Sequence, residues 1–350
     1  MVAVAIAGWL CLVSAAEAQT VDGTTNFTGL APSHSAATDP VPVRAGIFLT
    51  QITDVDQKSE NFTVVARLRL DWSDPDLAFD PDVEGTDRRV MSTPDFIAYA
   101  RAQNIRIPTA SFENLQARSF TKQSAVSWTS AGDAFHVSET VLTLQAPDFD
   151  FRKHPFDTQK FYVRLLLNRS TDAFVFEDLE GFSGLGPALG EEEWIIRRHW
   201  TEVDTTRGIA GWDSSRISLV FEADRHLIYY WTRILIPLLL LTTISWANLF
   251  LEEYRRRIDI AGANLLAFIA FNFAVSGDLP RLGYVTFLDA LMLAMFITSA
   301  VTVAYNVMLR RLSVTGHEGD AKRIDWHVTF WGFPLIHMLI ILSLWRVFFG

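Results

Sequence analysis

The sequence predicts an all-β extracellular sandwich, immunoglobulin-like with about ten strands, followed by an α-helical bundle of four transmembrane segments. Three observations carry this expectation. From Thr20 to Arg225 apolar and polar residues alternate at short range, with turn residues recurring roughly every dozen positions. From Tyr229 onward Leu, Ile, Phe, Ala and Val gather into four long stretches, each reaching or approaching the ~20 residues that cross a bilayer. The Lys/Arg excess then falls on alternate connections between those stretches.

Taken in order, residues 1–18 read as a secretory signal peptide. An apolar run, Val2 to Val13, leads into the small-x-small site Ala16-Glu17-Ala18, and the run is too short to span a membrane. Residues 19–42 are rich in Ala, Thr, Pro and Asp without periodicity and read as a leader segment. The sandwich is expected over residues 43–226, with its clearest strands at Ile47–Thr53, Phe62–Trp72, Ile105–Ile107, Phe112–Ala117, Phe135–Leu144, Phe161–Leu167, Trp194–Val203 and Arg216–Ala223. In "TVVARLRLDW", Val64, Ala66, Leu68, Leu70 and Trp72 share the core face, while Val65, Arg67, Arg69 and Asp71 share the other. The pattern is that of an antiparallel sandwich. "GFSGLGPALGEEE" reads as a loop and "VDTTRGIAGWDSS" as a hairpin tip.

The pore-type half, residues 227–350, holds the four spans at 231–251, 258–275, 284–307 and 326–349. With the sandwich outside, Arg255, Arg256, Arg257, Arg310, Arg311, Lys322 and Arg323 all fall on the inner side. The outer connection "SGDLPRLG" carries only Arg281. The signal segment and the charge bias agree on this topology, a multi-pass protein with its sandwich exported.

Composition narrows the function. A net charge of -10 and the lack of a basic, aromatic-interleaved cluster argue against nucleic acid. The only cysteine, Cys11, lies in the signal segment, so no disulfide is expected in the exported part. No phosphate-binding glycine loop, nucleophile elbow or Cys/His cluster is present, which leaves no case for an enzyme and no expected cofactor.

The second span is the least lipid-like. Stepping from Asp259 at helical spacing visits Ala263, Leu266, Ala270, Phe273 and Gly277. Around a symmetry axis this stripe would line a wide apolar pore with a carboxylate at its inner mouth and a leucine ring that gates by dewetting. The competing account is one more packed membrane helix, with Asn264 and Asn272 bonded to neighbours.

Several motifs now converge. "WSDPDL" holds Trp72, Asp74 and Leu77 after the second strand, and "IPTASFEN" holds Pro108 and Asn114. "HPFDTQ" follows at Phe156-Asp157, and "AFIAFN" and "RLGYVTFLDALML" stand in the membrane half, whose first span carries Pro237. Together these resemble the pentameric ligand-gated ion channels, the Cys-loop receptor superfamily, and most closely its bacterial members, from about Ile47 to the end. The two cysteines that name the superfamily are replaced by Pro147 and Phe161, so the loop between them must be held by packing. His154 stands where the family usually has an aromatic.

The resemblance implies a homopentamer in membrane lipid, passing monovalent cations when a small molecule, a proton or a divalent cation acts on the sandwich. It implies a bacterial inner membrane, with the sandwich periplasmic. It places Phe156 against the "SGDLPRLG" connection and pairs Asp157 with Arg225. The hairpin "TDVDQKSE", with Asp54, Asp56 and Glu60, is expected to join in coupling, biasing the second span through Leu279, Pro280 and Arg281. Aromatic-box candidates for an amine are Phe96, Tyr99, Trp128, Phe174, Phe176 and Trp212. The run Glu191 to Glu193 is the candidate for divalent cations, and His136, His154, His199 and His226 for protons. Asp259 favours cations, whereas Arg255 to Arg257 stand where cation-selective members carry a glutamate ring. The alternative from another class is a non-conducting, membrane-anchored periplasmic sensor or binding protein.

Overall fold

Alternation of apolar residues at every second position builds two sheets whose inner faces share one core. The structure, a computed structural model, describes residues 39–350 apart from 118, 188, 191, 192, 209, 210 and 277–281. The expected signal peptide and most of the leader lie outside the described residues.

Eleven strands are present among the described residues: β1 Val41–Asp56, β2 Asn61–Ser73, β3 Arg88–Ser92, β4 Ala110–Phe112, β5 Phe120–Thr129, β6 Asp133–Gln145, β7 Thr158–Leu167, β8 Phe174–Asp178, β9 Gly184–Leu185, β10 Trp194–Arg207 and β11 Asp213–Arg225. One sheet runs β3-β5-β6-β2-β1-β8, with β9 also on β1, and the other runs β10-β11-β7-β4. The sandwich is not wholly antiparallel, because β8 and β9 pair with β1 in parallel. Ile105–Ile107 forms no strand, and only the start of the expected Phe112–Ala117 strand is extended in a ladder. A helix over Thr93–Ala102, capped by the Ser92 hydroxyl on the Asp95 N–H, fills the space beside β3.

The core holds Val64, Ala66, Leu68, Leu70 and Trp72 from β2, as their spacing requires. At its lower end Phe161 takes the position of the missing cysteine. Its ring stacks on Phe221 at 4.7 Å and meets Phe62, Phe149 and Trp194 edge-on at 5.2, 5.1 and 5.3 Å. Those contacts anchor the loop that a disulfide closes elsewhere.

Among the described residues four helices are long and apolar enough to cross a membrane: Ile228–Asn248, Tyr254–Ser276, Phe287–Val314 and Glu318–Phe349. Two of them widen locally where a proline follows. Before Pro237 the Ile236 N–H donates to the Trp231 carbonyl, and before Pro334 the Phe333 N–H donates to the Val328 carbonyl. A proline ring collides with the carbonyl four residues back, and a π-helical turn relieves that collision. The third span begins at a reciprocal cap: the Asp289 N–H donates to the Thr286 hydroxyl and the Thr286 N–H to the Asp289 carboxylate, both at 3.1 Å.

Candidate functional site

Sheet register builds the site where sandwich meets spans. Asp224 pairs with Thr158 at the end of the β7–β11 ladder, and Arg225 pairs with Trp194 across β10–β11. Asp157 and Arg225 are therefore the next pair out. Their side chains meet in a fork, Nε to Oδ1 at 2.8 Å and Nη2 to Oδ2 at 3.1 Å, and both residues are buried. The guanidinium lies over the Trp194 ring at 4.4 Å and the Phe151 ring at 5.6 Å.

Three polar groups complete the shell. Gln159 donates to Asp157 and to the Asp150 carbonyl, which fixes the loop to the start of β7. Tyr230, two residues into the first span, offers its hydroxyl to Arg225 Nη1 at 3.3 Å and donates to Glu193 at 3.4 Å. His154 is buried with Nδ1 at 3.6 Å from Asp157 Oδ1, and its ring meets Tyr230 edge-on at 5.0 Å. Burial pushes the Asp157 carboxyl up, but His154, the Arg225 charge and fork, and Gln159 outweigh it and hold the group well below the usual carboxylate range. Burial likewise opposes the charge on Arg225, and Asp157 more than restores it.

The turn containing Phe156 sits on the outer ends of the third and fourth spans. Its ring meets Phe287 at 5.8 Å and Phe349 at 6.0 Å. Backbone contact backs this up, because the Phe287 N–H donates to the Arg152 carbonyl at 2.8 Å and the Phe151 N–H donates to the Tyr284 hydroxyl at 3.1 Å. The expected seat on "SGDLPRLG" falls largely on residues 277–281, so Gly277, Leu279, Pro280 and Arg281 lie outside the described residues.

The β1–β2 hairpin reaches the site by a different side chain from those expected. Gln57 donates to Glu193 at 2.8 Å, and Glu193 lies 3.5 Å from Arg225 Nη1, so Glu193 joins the ion-pair cluster. Asp56 is spent on its own turn, accepting from the Lys58 and Ser59 N–H groups, and Asp54 is exposed. Tyr230 and Gln159 are not among the residues expected from sequence, and Glu193 is expected there only as part of an acidic run for divalent cations. The one available signal was Tyr230, a polar ring five residues beyond an arginine at the mouth of a span.

Within the second span the two faces differ. Arg257, Ala261, Asn264, Phe268 and Val275 are buried, while Asp259, Ala263, Leu266, Ala270 and Phe273 are exposed, Leu266 at 65% and Phe273 at 74%. Asn264 points into the subunit, donating to the Leu241 carbonyl at 3.1 Å and to Ser245 Oγ at 2.7 Å on the first span. Asn272 is exposed. Arg257 turns inward too, forking onto Asp325 at 2.7 and 2.9 Å. Tyr230, Ile234, Val275, Leu288 and Met292 pack together, which ties the outer ends of three spans to the ion-pair cluster.

The aromatic-box candidates are corrected by burial. Phe96, Trp128, Phe174 and Phe176 are core residues, the first two in contact at 5.3 Å: strand alternation turns the last three inward, and Phe96 lies on the buried side of the helix over Thr93–Ala102. Tyr99 stacks on Trp128 at 5.7 Å, and Trp212 remains partly exposed on its tip with no ring contact among the described residues. No surface box joins these six. No group of three or more His, Cys, Asp or Glu that could hold a metal occurs among the described residues, and Glu191 and Glu192 lie outside them.

Comparison with known proteins agrees with this architecture. The neurotransmitter-gated ion-channel ligand binding domain family matches residues 24–165. The chain is 27% identical over 331 residues to the proton-gated ion channel of Gloeobacter violaceus, covering 92% of this chain and 87% of that one. It is 25% identical over 272 residues to pH-sensitive chloride channel 2 of Drosophila melanogaster, covering 71% and 49%. It is 20% identical over 281 residues to gamma-aminobutyric acid receptor subunit beta of Lymnaea stagnalis, covering 77% and 55%. The chain thus spans about half the length of these two animal relatives.

Proposed function

We propose that the chain is a pentameric ligand-gated ion channel of the Cys-loop receptor superfamily, as its likeness to a ligand-binding-domain family and to a bacterial proton-gated channel supports, and that five copies surround an axis lined by the second span. They conduct when a ligand acts on the sandwich. The observation that carries this is the division of that span into a buried face and an exposed stripe from Asp259 to Phe273. A helix packed only for anchoring has no need of an exposed carboxylate and alanines in line with Leu266.

Cations are the favoured charge. Of the three arginines at the inner end, Arg257 is neutralised inside the subunit by Asp325. Arg255 lies one turn below Asp259 on a long side chain whose head can leave the axis, while the short Asp259 carboxylate stays on it. The arginine-rich inner connections support a bacterial inner membrane location with the sandwich outside. Two relatives are named for protons or pH, and a proton is the ligand adopted here.

Coupling would run through Gln57 with Glu193, the Phe156 turn on Phe287 and Phe349, and the Asp157–Arg225 fork with Tyr230. The Phe156 turn and Tyr230 join the sandwich to the outer ends of spans directly, and Gln57 reaches Tyr230 through Glu193.

The test is current across a bilayer holding the purified protein in a NaCl gradient. Leu266→Ala is expected to conduct without ligand, reversing near the sodium potential, and adding Asp259→Asn should move the reversal toward chloride. Absence of current from Leu266→Ala protein shown to be inserted would refute the channel reading, and a reversal unmoved by Asp259→Asn would refute the carboxylate ring.

A further inference from the structure

One buried titratable group has no task in the mechanism above. His154 is 2% exposed, and neither ring nitrogen makes a hydrogen bond among the described residues. A buried imidazole without a partner forfeits the bonds it would make to water. Yet the ring stands beside acceptors. Asp157 Oδ1 is 3.6 Å from Nδ1, slightly beyond bonding distance, and the same carboxylate already serves Arg225 and Gln159.

The charges around it leave room for one more. Asp157 stands beside it on its own loop and the Tyr230 ring beside it from the first span, while Arg225 of β11 pairs with that carboxylate and Glu193, before β10, with Arg225. With the imidazole neutral, two carboxylates and one guanidinium leave the cluster one charge negative. A proton on His154 brings it to zero.

We propose that His154 is the site at which a proton acts as agonist, its imidazolium competing with Arg225 for the Asp157 carboxylate. The proposal rests on the proton-gated channel reading and names its binding site. On protonation both ring nitrogens carry N–H, and Nδ1 donates to Oδ1. Arg225 Nη1 has a second partner ready in Glu193, 3.5 Å away, to which Gln57 of the hairpin is already bonded. Weakening the fork therefore shifts the guanidinium toward Glu193. Tyr230, bonded to both, passes the shift to Val275 and Leu288 at the outer ends of the second and third spans.

The other described histidines fit this role less well. His136 is bonded to Ser124 inside the sandwich, and burial pushes it down to about 4. His199 and His226 are exposed. Of these four, His154 alone joins burial, a competing carboxylate and contact with a span.

The experiment steps the outer face from about pH 8 to about pH 4.5 in planar bilayers, comparing wild type, His154→Phe and His154→Gln, with Leu266→Ala as the ligand-independent control. Phe keeps a ring against Tyr230, and Gln keeps a neutral hydrogen-bonding group. Wild-type current is expected to rise with acid, and both variants to need at least about tenfold more protons for half-activation, or to stay silent. An unchanged half-activation in the variants overturns the proposal, as does a wild type silent at every pH while Leu266→Ala conducts. If Leu266→Ala is silent as well, the channel reading falls and the proposal with it.

Discussion

Replacing Asp157 by Asn keeps the shape of the side chain and deletes its charge. Arg225 is then left charged and buried between Trp194 and Phe151. Breaking a buried ion pair from one side costs about 3–5 kcal/mol, because the remaining charge loses its compensation. For a unit of the sandwich's size each kcal/mol moves the melting point by ~2–4 °C, so a fall of roughly 6–20 °C is expected. Thermal unfolding of detergent-solubilised protein near neutral pH, followed by tryptophan fluorescence, reads this directly. The informative comparison is the double variant Asp157→Asn/Arg225→Met. Removing the pair together strands no charge, and such replacements are often close to neutral. The double variant should therefore melt nearer to wild type than either single variant. If the two losses simply add, the side chains are energetically independent and the fork does not set the geometry of the junction.

Two further outcomes follow from the same region. Phe161→Ala removes a ring that touches four others, and should cost about 3–5 kcal/mol, read as earlier unfolding and faster proteolysis of the loop before β7. Acid should act through Asp157. Its folded value is depressed, so its contribution is complete above its ordinary value near 3.8 and is lost as pH falls below that toward the folded value. Melting temperature should therefore drop from about pH 4 downward, and Asp157→Asn should flatten that part of the profile.

Much of the architecture was legible because it is written in period. Strands such as β2 and β6 alternate cleanly, and the spans are long apolar runs, so both fold halves follow from spacing alone. The misses share a cause. β3 is "RRVMS" and β5 opens with "FTKQS", segments with too little apolar contrast to show which face is inward. β8 is short and joins β1 in parallel, a pairing decided by distant chain. The helix after Ser92 did carry a signal, a serine cap followed by Pro94 and Asp95, but ten residues without a strong apolar stripe hide among strands. At the site, the family motif identified Asp157 and Arg225. Tyr230 and Gln57 carry no such signal, and Glu193 shows only as part of an acidic run, because their contacts depend on three separate segments meeting beyond the ends of the ladders. The aromatic candidates differ for the opposite reason: expected loop positions ignore phase, and strand phase puts Trp128, Phe174 and Phe176 in the core while the helix after Ser92 puts Phe96 there.

The ring cluster at Phe161 also changes what kind of fastening the junction uses. A disulfide is cut or kept according to the redox state of its surroundings, and its correct formation needs an oxidant at the time of folding. Five interlocked rings need neither. This junction closes as soon as β2, β7, β10 and β11 come together, and thiol reagents have nothing in it to sever. Its hold depends instead on the free energy of apolar contact, which varies smoothly with temperature, so heat and cold act on this fastening where reductants do not.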